Sequence, residues 1–318
     1  RPQGYIVYTK IDDDGFDNGL AVGSHESYTM PIVPDKTYAF RITAVNAGGE
    51  SFPSETLAVR YTSGSSRRVL IVNGFDRLSG PATVDTPDSL GFDFDLDLGV
   101  PYHSTTSLSG RQKEFNPQAP HADGPGGLGY SGREWMGREI AGNTFDYPLC
   151  HGKAVVAGGK YSFCSVSREA FEQSKVKADE YAAIDYIAGL QADKPYNLLT
   201  YKTFPLAVRQ KLTRYLQQGG ALLVSGSYIG SDNQGRADER KFTEEVLKYR
   251  YDGSAHADTT DYVNGLNLQF LISRRPNARQ YAVQSPDALQ PSHPLAFSAF
   301  AYGGGQGAGV AYAGKDYR

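Results

Sequence analysis

Residues 214–232 read RYLQQGGALLVSGSYIGSD, and the fold of the larger part of the chain follows from them. Val208, Leu212, Tyr215 and Leu216 fall at i, i+4, i+7 and i+8, the spacing of an amphipathic helix over 205–218. Pro205 sits in its first turn, and Gly219 and Gly220 end it. ALLV (221–224) comes immediately afterwards as an apolar run, the pattern of a strand buried on both faces of a parallel sheet. Similar runs stand at VLIVN (69–73), YSFCS (161–165) and AAIDYIA (182–188). Helical spacing recurs at 168–173 and at 238–249, where Phe242, Val246 and Tyr249 share a face. Strands alternating with helices predict an α/β domain, a doubly wound parallel sheet over 63–318. Beyond 262 the chain turns strand-rich and irregular, ending in the glycine-rich 303–309.

The first 62 residues follow a different period. In TYAFRITAVNAGGESFPSE (37–55), Tyr38, Phe40 and Ile42 alternate with Ala39, Arg41 and Thr43, as in a half-buried strand. Gly48 and Gly49 supply a turn, and PSETLAVR (53–60) begins the next strand. YIVYTKI (5–11) reads as an earlier strand, with 20–23 and 27–30 as two more. This stretch resembles the closing strands of a fibronectin type III module. Tyr38 stands at the tyrosine-corner position and AVNAGGES-x-PSE at the family's ending. The resemblance implies a β-sandwich, mostly found outside the cell. Such a sandwich needs about 100 residues and seven strands, so 1–62 is a partial module lacking its first two strands. Its missing strands are expected from an absent segment, another copy or a neighbouring surface, and its inner face (Tyr5, Val7, Tyr38, Phe40 and Ile42, or their alternates) is expected to be covered by the α/β domain. The chain opens on Arg1 rather than Met and is read as processed or as part of a longer sequence.

Composition narrows the function classes. With 318 residues, two domains are expected. A net charge of −3 without a basic block argues against nucleic acid. No apolar run reaches the ~18 residues that span a bilayer. Tyrosine is abundant at 22, while Cys and Met number two each, a composition that suits a secreted or surface bacterial protein. Cys150 and Cys164 are either one disulfide or two separate buried thiols. No CxxC pair, HExxH, Walker A loop or post-strand GxGxxG occurs, so no cofactor is expected. Asp93, Asp95 and Asp97 alternate with apolar residues; they form either a solvated carboxylate face or an oxygen set for calcium.

The 214–232 stretch also resembles the glutamine-amidotransferase-like variant of the flavodoxin-type sheet. There a helix ending in Gly-Gly runs into a central strand whose exit turn carries the nucleophile. The resemblance places Ser227 at that elbow, with serine in place of cysteine, and Tyr228 beside it. A serine there requires a histidine within hydrogen-bonding reach, itself oriented by a carboxylate; His256 near Asp258 and His293 are possible partners. The alternative is an ordinary polar turn. Together with the partial fibronectin module, the chain resembles secreted bacterial proteins labelled xanthan lyases or cell-wall amidases.

In doubly wound sheets ligands bind at the carboxyl ends of the strands. That edge includes Asn73 and Asp76 in NGFDR (73–77), the turn at 165–167, Gln191, and 225–232. The insertion 76–150 is too long for an ordinary connection. Its GNTFDYPLCHG (142–152) matches a motif of the xanthan-lyase-labelled group. Asp146 and His151 read as an acid–base pair. Asn143, Tyr147, Trp135 and Phe145 are candidates for contacting or stacking on sugar. The competing reading is a loop fastened by its own hydrogen bonds. The function expected is a hydrolase or lyase acting on polysaccharide or peptidoglycan, with Ser227, His151, Asp146 and Asp76 catalytic and Asn73, Asn143, Tyr147, Trp135 and Tyr228 binding substrate. The alternatives are a non-catalytic module that binds glycan or protein on an amidotransferase-like scaffold, and a purely structural module.

Overall fold

A computed structural model describes residues 2–50, 54–75, 82–93, 146–173, 176–193, 200–255, 262–272 and 286–317. The chain begins with β1 (Gly4–Ile11), β2 (Leu20–Gly23), β3 (Thr37–Asn46), β4 (Gly49–Glu50) and β5 (Leu57–Arg60). Next come β6 (Arg68–Asn73), the hairpin β7 (Ala82–Thr86) and β8 (Ser89–Asp93), α1 (Tyr147–Ala157), β9 (Ser162–Ser167) and α2 (Arg168–Glu172). Then follow β10 (Ala183–Gly189), α3 (Leu206–Gln217), β11 (Leu222–Gly226) and α4 (Ala237–Lys241). The last strands are β12 (Tyr249–Ser254), β13 (Tyr262–Gly265), β14 (Leu268–Leu271), β15 (Asp287–Pro291), β16 (Ala296–Tyr302) and β17 (Gly307–Tyr312).

One nine-stranded mixed sheet runs through both halves of the chain, in the order β11-β10-β6-β9-β5-β3-β1-β2, with β4 on β3. β6, β9, β10 and β11 are mutually parallel, as the apolar runs predict. The N-terminal strands are antiparallel. The two halves join where β5 pairs with β9, Val59 opposite Cys164 and Arg60 opposite Phe163. The Ser165 hydroxyl extends this junction: it accepts from Ala58 N at 2.6 Å and donates to Ala58 O at 2.8 Å. The boundary drawn at 62/63 therefore falls inside a single hydrogen-bonded sheet.

Alternation along the parallel strands sends side chains to two covered faces. Leu70, Val72, Ile184 and Tyr186 face α3 with Phe171, Val208, Leu212 and Leu216. Val69, Ile71, Phe163 and Ile187 face α1 with Tyr147 and Leu149. α3 forms where its spacing predicts. Gly220 N–H bonds to Tyr215 O and Gly219 N–H to Leu216 O, a Schellman closure, with Gly219 at φ +89 where a side chain would be strained. Leu212 is fully buried in this layer. Replacing it with alanine is expected to cost about 2–5 kcal/mol, read as a lowered denaturation midpoint at unchanged slope.

Several expectations are corrected. The segment 27–30 is not a strand; it belongs to a loop tied down by Tyr38 Oη, which accepts Val33 N–H at 3.0 Å. The helix expected over 238–249 is shorter: α4 passes into one π-helical stretch, Phe242–Val246, and Lys248 turns out at φ +64. Tyr249 then opens β12, because its ring is buried and its hydroxyl donates to Ile229 O at 2.9 Å. Of the two faces allowed for the N-terminal strands, α1 covers the alternate one, with Ala39 and Ala58; on the Tyr5–Ile42 face Val7 and Tyr38 are buried and Ile42 is 44% exposed. Of the two readings of Cys150 and Cys164, the separate thiols hold: Cys150 lies on α1, whereas Cys164 points through the other face to Tyr181 Oη at 3.1 Å. No described helix is long and apolar enough to cross a membrane.

Candidate functional site

The strand order creates a switch point. From β6 the chain goes to β9 on one side, then crosses to β10 on the other. In open α/β sheets that reversal opens a crevice at the carboxyl end of the first strand. Asn73 ends β6 there. It is fully buried, and neither its Oδ1 nor its Nδ2 has a hydrogen-bond partner among the described residues. Phe75 and Tyr147 stack beside it with ring centroids 5.6 Å apart, bringing the N-terminus of α1 to the same edge. Tyr228 packs against this cluster from the far side.

His151 lies one turn into α1, over β10. Its Nδ1 is 2.7 Å from Oδ2 of Asp185, the third residue of β10. A carboxylate only accepts, so Nδ1 carries the proton and Nε2 presents its lone pair. Asp185 is 5% exposed and its Oδ1 has no hydrogen bond among the described residues, whereas the His151 side chain is 30% exposed. The geometry is that of an imidazole held in one tautomer by a buried acid, its outer nitrogen directed away from the carboxylate. Asp185 stands two residues before Ile187, which is level with Asn73, so the pair lies roughly 7 Å back from the carboxyl edge on the same face.

This arrangement replaces the expected partner of His151. Asp146 occupies the N-cap position of α1 without capping it, and its Oδ1 is 4.0 Å from Cys150 Sγ. The carboxylate that orients His151 comes instead from the middle of AAIDYIA. The signal was present in the sequence, since an aspartate inside a run destined for two-sided burial must find a partner.

Ser227 is also placed differently from expectation. β11 is a strand, but it is the edge of the sheet and not a central member, and Leu223 is 59% exposed. Ser227 is 6% exposed. Its N–H bonds Gly189 O at 2.8 Å, and its carbonyl accepts Asp287 N at 2.9 Å. The backbone here bridges β10 to β15, and no described histidine hydrogen-bonds Ser227. His293 bonds instead to the Leu295 amide nearby. Asp76, Asn143, Trp135, Phe145, Asp95, Asp97, His256 and Asp258 lie outside the described residues, as does the side chain of Asp93. No family model matches the chain, and neither the curated proteins nor the solved structures provide a match.

Asp287 is a second buried carboxyl that sequence reading missed. It is 4% exposed; Oδ2 accepts from Gly230 N at 2.8 Å and Ser231 N at 2.7 Å, while Oδ1 has no hydrogen-bond partner among the described residues. Burial raises its pKa above the usual carboxyl value, outweighing the two amide bonds. An acid whose folded pKa is raised contributes most to stability below its unfolded pKa, and loses that contribution as pH rises through the folded value. Asp287→Asn keeps an oxygen for the two amides. The variant is expected to gain on the wild type as pH rises from below about 4 to neutrality, read from denaturation midpoints across pH.

Proposed function

We infer that this chain is the catalytic part of a secreted or surface protein that acts on polysaccharide or peptidoglycan, as a hydrolase or lyase using His151 as general base. The observation that carries this reading is the His151–Asp185 pair, a partly exposed imidazole bonded through Nδ1 to a buried carboxylate. Such a pair removes a proton from water or from carbon. With Ser227 buried and its backbone committed on both sides, the reading uses no serine nucleophile. That leaves direct attack by an activated water, or elimination begun by proton abstraction. Asn73, buried at the switch point and without a hydrogen-bond partner among the described residues, has a donor and an acceptor to offer a substrate hydroxyl that reaches the crevice. Tyr147 and Tyr228 border the same edge.

Glycan as the substrate class rests on the likeness of residues 142–152 and of the overall layout to the xanthan-lyase-labelled group. Strands β1 to β5 are taken as the half of a fibronectin type III sandwich; Tyr38, bonding back to the Val33 amide as a tyrosine corner does, supports this. The amidotransferase-like reading required ALLV to be a central strand; with β11 at the edge of the described sheet, the parallel strands support an α/β sheet and no more. The test is turnover of xanthan and of purified peptidoglycan by the wild-type chain and by His151→Ala. New reducing ends report hydrolysis, and ultraviolet absorbance of an unsaturated sugar reports elimination. Absence of turnover on both substrates, or turnover unchanged in the variant, removes the reading.

A further inference from the structure

The chain contains three Asn-Gly sequences, at 18–19, 73–74 and 264–265. A glycine leaves its own amide nitrogen unscreened by a Cβ. That nitrogen reaches the side-chain carbonyl carbon of the preceding asparagine wherever the main chain is free to fold back. The fold withholds this freedom from two of the three. Asn73 is fully buried at the end of β6, and Gly74 N–H bonds Val72 O at 3.1 Å. Asn264 and Gly265 lie in β13 with a strand on each side: Asn264 is opposite Gln269 and Ala301, and Gly265 is opposite Leu268 and Phe300.

Asn18 and Gly19 are held differently, in a bulge between β1 and β2. Asp17 N–H bonds Thr9 O at 2.9 Å and Val7 lies opposite Leu20, so two residues on one side face Tyr8 alone on the other. Asn18 is exposed, and Gly19 sits at φ +79. Gly19 N–H stands outside the strand ladder and donates to a side chain, Oδ1 of the exposed Asp17, at 2.9 Å. Packing fixes glycine at this position, since a Cβ built there would lie 2.5 Å from Ile6 Cγ2 and 2.7 Å from Tyr8 Cε1.

We propose that Asn18 is a modification site, at which the folded chain converts asparagine to aspartate and isoaspartate without an enzyme. The proposal goes beyond the general-base site and does not depend on it. The Gly19 nitrogen gives its proton to hydroxide and bonds to Cγ of Asn18, and the side-chain nitrogen leaves as ammonia, closing a succinimide. Water then opens the ring at either carbonyl. The net change is one water consumed, one ammonia released and one negative charge added to a loop that already carries Asp12, Asp13, Asp14 and Asp17. Opening to isoaspartate also inserts a carbon into the main chain, at a bulge whose inner side Ile6 and Tyr8 already fill. β2 pairs only with β1 in the described sheet, so its first residue, Leu20, is the part displaced.

The test follows the full chain in mildly alkaline buffer by peptide mass mapping. Asn18 is expected to gain the mass of an amide-to-acid change at least ~10-fold faster than Asn73 or Asn264, which react only after local opening of β6 or β13. In denaturant the three sites are expected to react at similar rates, because the fold that separates them is gone. Asn18→Gln is expected to remove the acidic species that ion exchange resolves from the aged wild type, since a six-membered ring closes far more slowly. The proposal is overturned if Asn18 stays intact in the folded chain while it reacts in denaturant. It is equally overturned if Asn73 or Asn264 reacts as fast as Asn18 in the folded chain, or if the folded-state ratio persists in denaturant, which would give the selectivity to sequence alone.

Discussion

His151→Ala is expected to lower turnover by about 10²-fold or more, with little change in the denaturation midpoint. His151 is 30% exposed in its side chain and sits on the outer part of α1, while that helix is anchored by Tyr147, Leu149 and the buried Gly152. Alanine favours the helix, so removal of the imidazole takes away little packing. It does leave Asp185, 5% exposed, without its imidazole partner, a cost set against the gain in helix propensity. Asp185→Asn isolates the positioning role. An asparagine amide can face Nδ1 as donor and favour the wrong tautomer, so kcat is expected to fall while KM holds. Wild-type kcat in the Asn variant would reduce the pair to a structural pin between helix and sheet.

Gly152→Ala is expected to destabilise the chain by about 1–3 kcal/mol, although alanine is the better helix former. α1 crosses the sheet at Gly152 with no room for a side chain. A Cβ built there would lie 2.3 Å from Phe163 Cζ and 2.4 Å from its Cε2. Phe163 is 2% exposed in the middle of the sheet, so its ring cannot swing clear. The helix must lift instead, and the His151 Nδ1 bond to Asp185, only one residue away, must lengthen. Stability and turnover should therefore fall together in Gly152→Ala, whereas in His151→Ala turnover falls alone. A Gly152→Ala chain as stable as the wild type would show that α1 is not packed on Phe163 as described.

The local elements were legible because their causes are local. Val208, Leu212, Tyr215 and Leu216 form a stripe at helical spacing in any context that supplies an apolar surface, and Gly219 must stop that helix because a side chain is strained at its φ. VLIVN and AAIDYIA are apolar on both faces and so need cover on both faces, which a parallel sheet between helices provides, whereas ALLV forms its strand with Leu223 59% exposed. Tyr38 and the turn after Asn46 were readable for the same reason. His151 stood out through its setting among Asn, Asp and Gly.

Strand order was not legible, since nothing in ALLV distinguishes an edge from a centre. That difference depends on which distant strand arrives, and here β11 has β10 on one side only. Nor did the period of residues 1–62 reveal that β5 would continue the sheet into β9, a pairing across about a hundred residues carried by Ser165 and Ala58. The histidine's partner illustrates the rule most directly. Asp146, five positions away along the chain, is the nearer carboxylate in sequence. Asp185 is the nearer in space, because α1 runs back across the sheet and sets His151 over the third residue of β10. By itself the sequence determined which segments are strands and helices and which faces are apolar, because those follow from side chains a few residues apart. Tertiary structure alone decided which strand is the edge, which acid orients His151, and that Ser227 is buried between β10 and β15, because each is settled by contacts between segments far apart in the chain.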